Sequence, residues 1–168
     1  MKMSEMIKYA VITPCGKYRT SLTRIWSDGP VALFFLLNPS IADSSIDDPT
    51  VRRCIAFSKR EKCGGLEIRN LFSLRSTNPK ELISSIDPYG PCQDLFKDLC
   101  KFTPIIIAWG SYGVFRNRGK WAIRELSKLS ASLWCFGWTK NNQPRHPLYL
   151  RHDTPLILIG QNNTMTKE

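Results

Sequence analysis

Four short apolar runs punctuate an otherwise polar chain: VALFFLL at 31–37, LEIRNLF at 66–72, PIIIAWG at 104–110 and SLWCFGW at 132–138. The first and third are apolar almost throughout, the pattern of strands covered on both faces. Segments of helical length separate the runs and predict helices over 50–62, about 89–101 and 115–129. Thr50 follows Asp48-Pro49 at the expected start of the first helix, and Gly64-Gly65 is expected to close it as C-cap and turn. DPYG at 87–90 reads as a turn before the second helix.

Strand–helix alternation at these lengths predicts an α/β fold, a three-layer α/β/α sandwich around a central, mainly parallel four-stranded sheet. MIKYAVIT at 6–13 and KYRTSLTRIW at 17–26 alternate in polarity and add an antiparallel hairpin at one edge. TPLILIG at 154–160 adds a further edge strand, and 161–168 reads as a flexible tail. No repeat, linker or composition break divides the chain, so one domain is expected over 1–168, with its core about 31–150.

The predicted strands share one feature. In open α/β sheets ligands bind beyond the carboxyl ends of the strands. Asn38-Pro39-Ser40 ends the first strand, Asn70 the second, WGSYG (109–113) the third, and FGWTKNNQPRHPLYL (136–150) follows the fourth. Polar groups therefore collect at one rim.

Charge sharpens this picture. Twenty-four Lys and Arg against fourteen Asp and Glu give a net charge of +10, which favours polyanionic partners, nucleic acid above all. RNRGK at 116–120 and WTKNNQPRH at 138–146 place Arg116, Arg118, Lys120, Lys140 and Arg145 beside the rim loops, where they can follow phosphates or remain solvated surface charge. KREK at 59–62 reads as basic charge at a helix C-terminus. No apolar stretch reaches the ~18 residues of a membrane span, and the N-terminus lacks a signal core, so a cytoplasmic protein is expected. A monomer without cofactor or metal is expected too. The six cysteines form no C-x-x-C pair and only two histidines are present, so they read as reduced, mostly buried thiols.

The individual rim residues allow more than one role. Asn38 can hold a water and a donor, or stabilise its loop as an Asx-turn. Asn70 can contact a base edge with its amide, or satisfy backbone groups at the strand end. Phe57 shares a helix face with Cys54, which makes a core position the default and base stacking the alternative. His146, in a Pro-bracketed loop, can donate to a developing anion. His152 reads as surface. Trp109 and Tyr112 fit either core or stacking roles. Asp43, Asp47 and Asp48 read as caps and turns, or as a source of a carboxylate.

Taken in order, these segments resemble the uracil-DNA glycosylase superfamily. The strand ending in Asn38-Pro39, IAFS at 55–58, LEIRNLFSLR at 66–75, IIIAWGSYG at 105–113 and RHPLYL at 145–150 are similar to its successive motifs. LNPSIADSSIDDPTVRRCIAFS and QPRHPLYL more closely resemble the domain of unknown function 1643 family, whose name carries no activity. The superfamily resemblance implies that a base is extruded into a pocket, with Phe57 stacking on it and Asn70 reading its edge. His146 would stabilise charge on a base oxygen, Asn38 would position water, and Leu148 or Tyr149 would fill the vacated stack. Three departures stand out. Asn38 replaces the carboxylate of the fastest members, Ser40 stands where uracil-selective members carry a bulky Tyr, and HPLYL lacks the usual Ser after Pro. Ser40 thus leaves room for a substituted pyrimidine.

The expected function is therefore a divergent DNA glycosylase that recognises an extruded pyrimidine base, modified or not, in nucleic acid and hydrolyses its N-glycosidic bond. The alternative is a non-catalytic binder of a nucleotide or nucleic acid that keeps the pocket, and a third reading is an interaction protein whose basic face engages a host nucleic-acid system. Fold does not decide among them.

Overall fold

The computed structural model describes residues 5–91 and 94–160. The expected tail at 161–168, and Cys92, lie outside the described residues. A seven-stranded mixed sheet forms the centre, in the order β1-β2-β4-β3-β5-β6-β7. Its strands are β1 (Ile7–Ile12), β2 (Arg19–Ile25), β3 (Val31–Leu36), β4 (Gly65–Asn70), β5 (Ile105–Ile107), β6 (Leu133–Cys135) and β7 (Ile157–Ile159). The helices are α1 (Pro49–Arg60), α2 (Pro79–Ser84) and α3 (Arg118–Ser127). Strands β4, β3, β5 and β6 are parallel to one another, while β1, β2 and β7 add antiparallel. The sheet is thus larger than the expected four strands, because the hairpin and the last strand pair into it.

The apolar run of β3 is explained by burial on both faces. Leu33, Phe35 and Leu37 pack with Leu82 of α2 and with Ala122 and Leu126 of α3. Ala32, Phe34 and Leu36 pack on the other side with Val51, Cys54 and Phe57 of α1. Helix α1 starts at Asp48, whose side chain accepts from the Val51 N–H at 2.9 Å, with Pro49 in the first turn.

Two local expectations are corrected. Lys62, at φ 60°, takes the left-handed turn after α1, not Gly64 or Gly65. Gly64 instead lies against the backbone of Ser27 and Asp28, an approach that leaves no room for a Cβ. The expected helix at 89–101 is absent among the described residues except for a 3-10 turn at Leu99–Lys101. The turn at 87–90 does form, with Asp87 Oδ1 accepting from the N–H groups of Tyr89 and Gly90 at 3.1 and 3.0 Å. Beyond it, Asp94 takes the Phe96 N–H at 3.0 Å and Asp98 is left-handed, so side-chain turns replace the helix while Leu95 and Leu99 still reach the core.

Phe57 belongs to the core. It is 0% exposed, its ring centroid lies 4.5 Å from that of Phe136, and the Arg53 and Arg60 guanidinium groups lie about 5 Å from its ring. It sits nine residues below Asp48 on α1, about 13 Å along the helix axis and away from the rim. The base-stacking role is therefore corrected. Phe57→Ala is expected to cost about 3–5 kcal/mol in urea unfolding; a loss below about 1 kcal/mol would place the ring outside the core.

Candidate functional site

Along the α1 side of the sheet, the side-chain period of two runs Ala32, Phe34, Leu36 and then Asn38; on β4 it runs Leu66, Ile68 and then Asn70. Leu36 and Asn70 are register partners. The face therefore changes from apolar to polar at the carboxyl ends of both strands. A cavity of about 30 Å³ lies there, lined by Leu36, Asn38, Ser40, Ile68, Asn70, Arg19, Asp48, Thr50, Val51 and His146. This is close to the point where the chain order turns, since β3 leads to β4 on one side and β5 lies on its other.

Each polar group is held by identifiable partners. Asn38 donates its amide to the carbonyls of Pro39, Leu74 and Ser76 at 3.1, 3.3 and 2.9 Å, which ties the rim loops and leaves its oxygen as the remaining polar atom. Arg19, 2% exposed, donates to the Ala42 carbonyl at 2.9 Å and to Asn70 Oδ1 at 3.4 Å. Arginine carries no acceptor, so the Asn70 atom facing it is the oxygen, and the amide NH₂ is left for the cavity. A contact using both halves of that amide is therefore not the geometry found. Asn70 Nδ2 and Arg19 Nε are buried without a protein partner. Leaving such donors unpaired costs about 1–3 kcal/mol each, and the cavity exceeds the ~10–15 Å³ that one water requires.

His146 comes from the loop after β6. Its Nδ1 accepts the Leu148 N–H at 3.3 Å, which places the ring proton on Nε2. Burial lowers its pKa to about 4, opposed by the charge of Asp48. The ring is thus neutral at pH 7, a donor through Nε2 alone. Gly110 makes this approach possible: it lies at φ 76°, donates to the Pro144 carbonyl at 2.8 Å, and a Cβ there would meet His146 Cβ at 3.1 Å. Burial also lowers the Arg19 pKa, to about 10, again opposed by Asp48, so the guanidinium remains charged.

The cavity lining thus carries three donors, on Asn70, Arg19 and His146, together with the Asp48 carboxylate and the Asn38 oxygen. It can bind a carbonyl oxygen and hold a water beside a carboxylate. Residues 19–148, about three quarters of the chain, match the family described as Protein of unknown function (DUF1643). The protein belongs to this family. Comparisons with curated proteins and with solved structures gave no match.

In this DUF1643 member the sequence-derived candidates divide. Asn38, Ser40, Asn70 and His146 meet at the cavity, whereas Phe57 does not line it. Arg118 is committed to packing, with its Nε donating to the Leu71 carbonyl at 3.0 Å and its guanidinium 3.6 Å from the Trp121 ring centroid. Arg116 donates to the Ser85 carbonyl at 3.2 Å and lies over Tyr89 and Phe115. Lys120, Lys140 and Arg145 are exposed and make no side-chain ion pair among the described residues. Leu148 is half-buried, while Tyr149 is 84% exposed with its ring 6.1 Å from that of His146. Trp109 is core, donating to Gln143 Oε1 at 2.8 Å. Among the described cysteines, Cys54, Cys63 and Cys135 are buried and Cys15 and Cys100 exposed, and no group of three or more metal-ligating side chains forms there. No helix among the described residues is long and apolar enough to cross a membrane.

Arg19 was not legible in the sequence. Leu22 and Arg24 point inward, and strict alternation from them would turn Arg19 outward. A register shift between Val11 and Ile12 pairs Ile12 with Arg19 and turns that side chain in.

The His146 ring signals are expected to titrate near pH 4 by NMR. The unfolded chain takes up that proton near pH 6.5, so stability should fall as pH drops from about 6.5 to about 4 and the His146 contribution should level off below.

Proposed function

We propose that the protein recognises a base extruded from nucleic acid, DNA first, and hydrolyses its N-glycosidic bond. The observation that carries this is the meeting of Asn38, Asn70 and His146, from three separated segments, at one cavity beyond the carboxyl ends of β3 and β4. The order of those segments also resembles the uracil-DNA glycosylase superfamily, and a relationship to its three-layer fold is part of this proposal.

In the proposed reaction the NH₂ of Asn70 and the Nε2–H of His146 donate to oxygens of the base. A neutral imidazole suits this role, because it strengthens its hydrogen bond as negative charge develops without first giving up a proton. Asn38 offers its oxygen to a water. Tyr149, exposed beside His146, is the side chain suited to fill the stack, and Lys120, Lys140 and Arg145 are the basic groups left to follow phosphates. A cavity of about 30 Å³ holds waters but not a base, so the proposed reaction requires the site to open.

The amide at position 38, which cannot act as a base, favours a second reading: a non-catalytic binder of a nucleotide or nucleic acid. Strand scission at abasic sites separates the two, using labelled single- and double-stranded DNA carrying uracil, hydroxymethyluracil or other modified pyrimidines. Cleavage by the wild type that is lost in His146→Ala supports the glycosylase; tight binding without cleavage supports the binder.

Asn70→Ala and His146→Ala are expected to lower base release by at least about 100-fold. His146→Ala should change the thermal midpoint little, and a large loss of midpoint in that variant would make the residue structural. Asn70→Ala removes an acceptor of buried Arg19 and should cost about 1–3 kcal/mol. Log affinity for DNA is expected to fall linearly with log salt, by about 0.9 per phosphate contact. A flat response would remove nucleic acid as the partner.

A further inference from the structure

We infer that Asp48 is the catalytic base of this site, the carboxylate that takes the proton of the attacking water. The inference rests on the hydrolytic reading above and names a residue that the resemblance does not supply, since the position expected to carry the carboxylate is Asn38.

Three carboxylates lie in the loop between β3 and α1, and two are spent on structure. Asp43 Oδ1 accepts from the Ser45 N–H, the Ser45 hydroxyl and the Ile46 N–H at 2.7, 3.0 and 2.8 Å, closing its own turn. Asp47 pairs with Lys8 at 2.9 Å and with buried Arg24 at 2.7 Å. Asp48 differs from both. It is 5% exposed and lines the cavity. One of its oxygens caps α1 through Val51 N–H, and the other takes no hydrogen bond from the described residues.

Capping alone explains one oxygen and the burial, so the rest of the cavity decides. Asn70 Nδ2 and Arg19 Nε are donors in residues 3% and 2% exposed, both lining this cavity and both without a protein partner. They call for an acceptor on the ligand side, while the second Asp48 oxygen, which no donor among the described residues occupies, is left open to a donor such as water. A water that gives its hydrogen to Asp48 while its oxygen faces the ligand meets the second demand; a base carbonyl meets the first. Asn38 can orient the same water but cannot take its proton. Asp48 also lies near enough to Arg19 for its charge to favour the charged guanidinium, so the buried cation has an acidic neighbour at the cavity.

In the step, the water oxygen bonds to the anomeric carbon as the carbon–nitrogen bond breaks, and that bond's electron pair leaves with the base. The water proton passes to Asp48, while His146 stabilises the leaving base by donation from Nε2. Transfer of the proton from Asp48 to the released base restores the carboxylate.

The test compares wild type with Asp48→Asn and Asp48→Ser on DNA carrying uracil or hydroxymethyluracil, reading free base by chromatography and binding by fluorescence anisotropy. Asn and Ser both cap helices, and buried Arg19 keeps the Ala42 carbonyl and the Asn70 oxygen as acceptors when the Asp48 charge is removed, so folding should survive with some loss of stability. The expected result is a loss of base release of about 100-fold or more in both variants, with affinity for the same DNA within about threefold. Release by the variants at the wild-type rate would overturn the role of Asp48 and leave the glycosylase reading standing. Failure of both variants to fold would make Asp48 the structural counter-charge of Arg19 and overturn its role as base. No release by the wild type from any substrate would overturn both readings together.

Discussion

Burial of β3 on both faces is the constraint from which the architecture follows. Apolar side chains at successive positions can be satisfied only if a layer covers each side of the strand. Helix α1 supplies one layer, and α2 with α3 supplies the other. A strand so enclosed cannot lie at an edge, and β3 pairs with β4 on one side and β5 on the other. The chain must then leave β3 at its carboxyl end and turn back through α1. That exit is where Asn38, Asp48 and the first turn of α1 meet, with Asn70 brought alongside by the register of β4.

The chemistry of the rim follows from the same enclosure. Groups placed at the end of a fully buried strand are poorly hydrated, so each must find a partner or face a cavity. Arg19 illustrates the balance. Its charge is tolerated because Asp48 lies opposite and the Ala42 carbonyl and Asn70 oxygen accept from it. By engaging that oxygen, Arg19 also turns Asn70 into a donor. Burial keeps His146 neutral, and the Leu148 N–H selects its tautomer. A glycine at 110 allows the His146 loop to close over the site, because any side chain there would press on His146 Cβ.

Residue type alone left several environments open. Phe57 shares a helix face with Cys54, which makes core the default and base stacking the alternative; its packing with Phe136 and its distance down α1 from the rim decide for the core. Arg116 and Arg118 lay beside a rim loop in sequence, yet both are drawn onto aromatic rings, where a guanidinium stacks well. Leu95 and Leu99 have helical spacing, but Asx-type turns compete with helix formation there. In each case local pattern was compatible with two outcomes, and neighbours distant in sequence chose between them.

The strand positions, the two-sided burial of β3, helices α1 and α3, the edge hairpin and the polar ends of the strands were all legible in the sequence, because they depend on periodicities of two and 3.6 that a chain displays directly. So were Asn38, Ser40, Asn70 and His146 as rim residues, since strand ends can be located from where apolar runs stop. The choice of Asp48 over Asp43 and Asp47, the inward turn of Arg19, the orientation of the Asn70 amide and the protonation of His146 were decided only by the tertiary structure. Each depends on register, burial or a partner supplied from elsewhere in the chain, and those are properties of packing that no local pattern encodes.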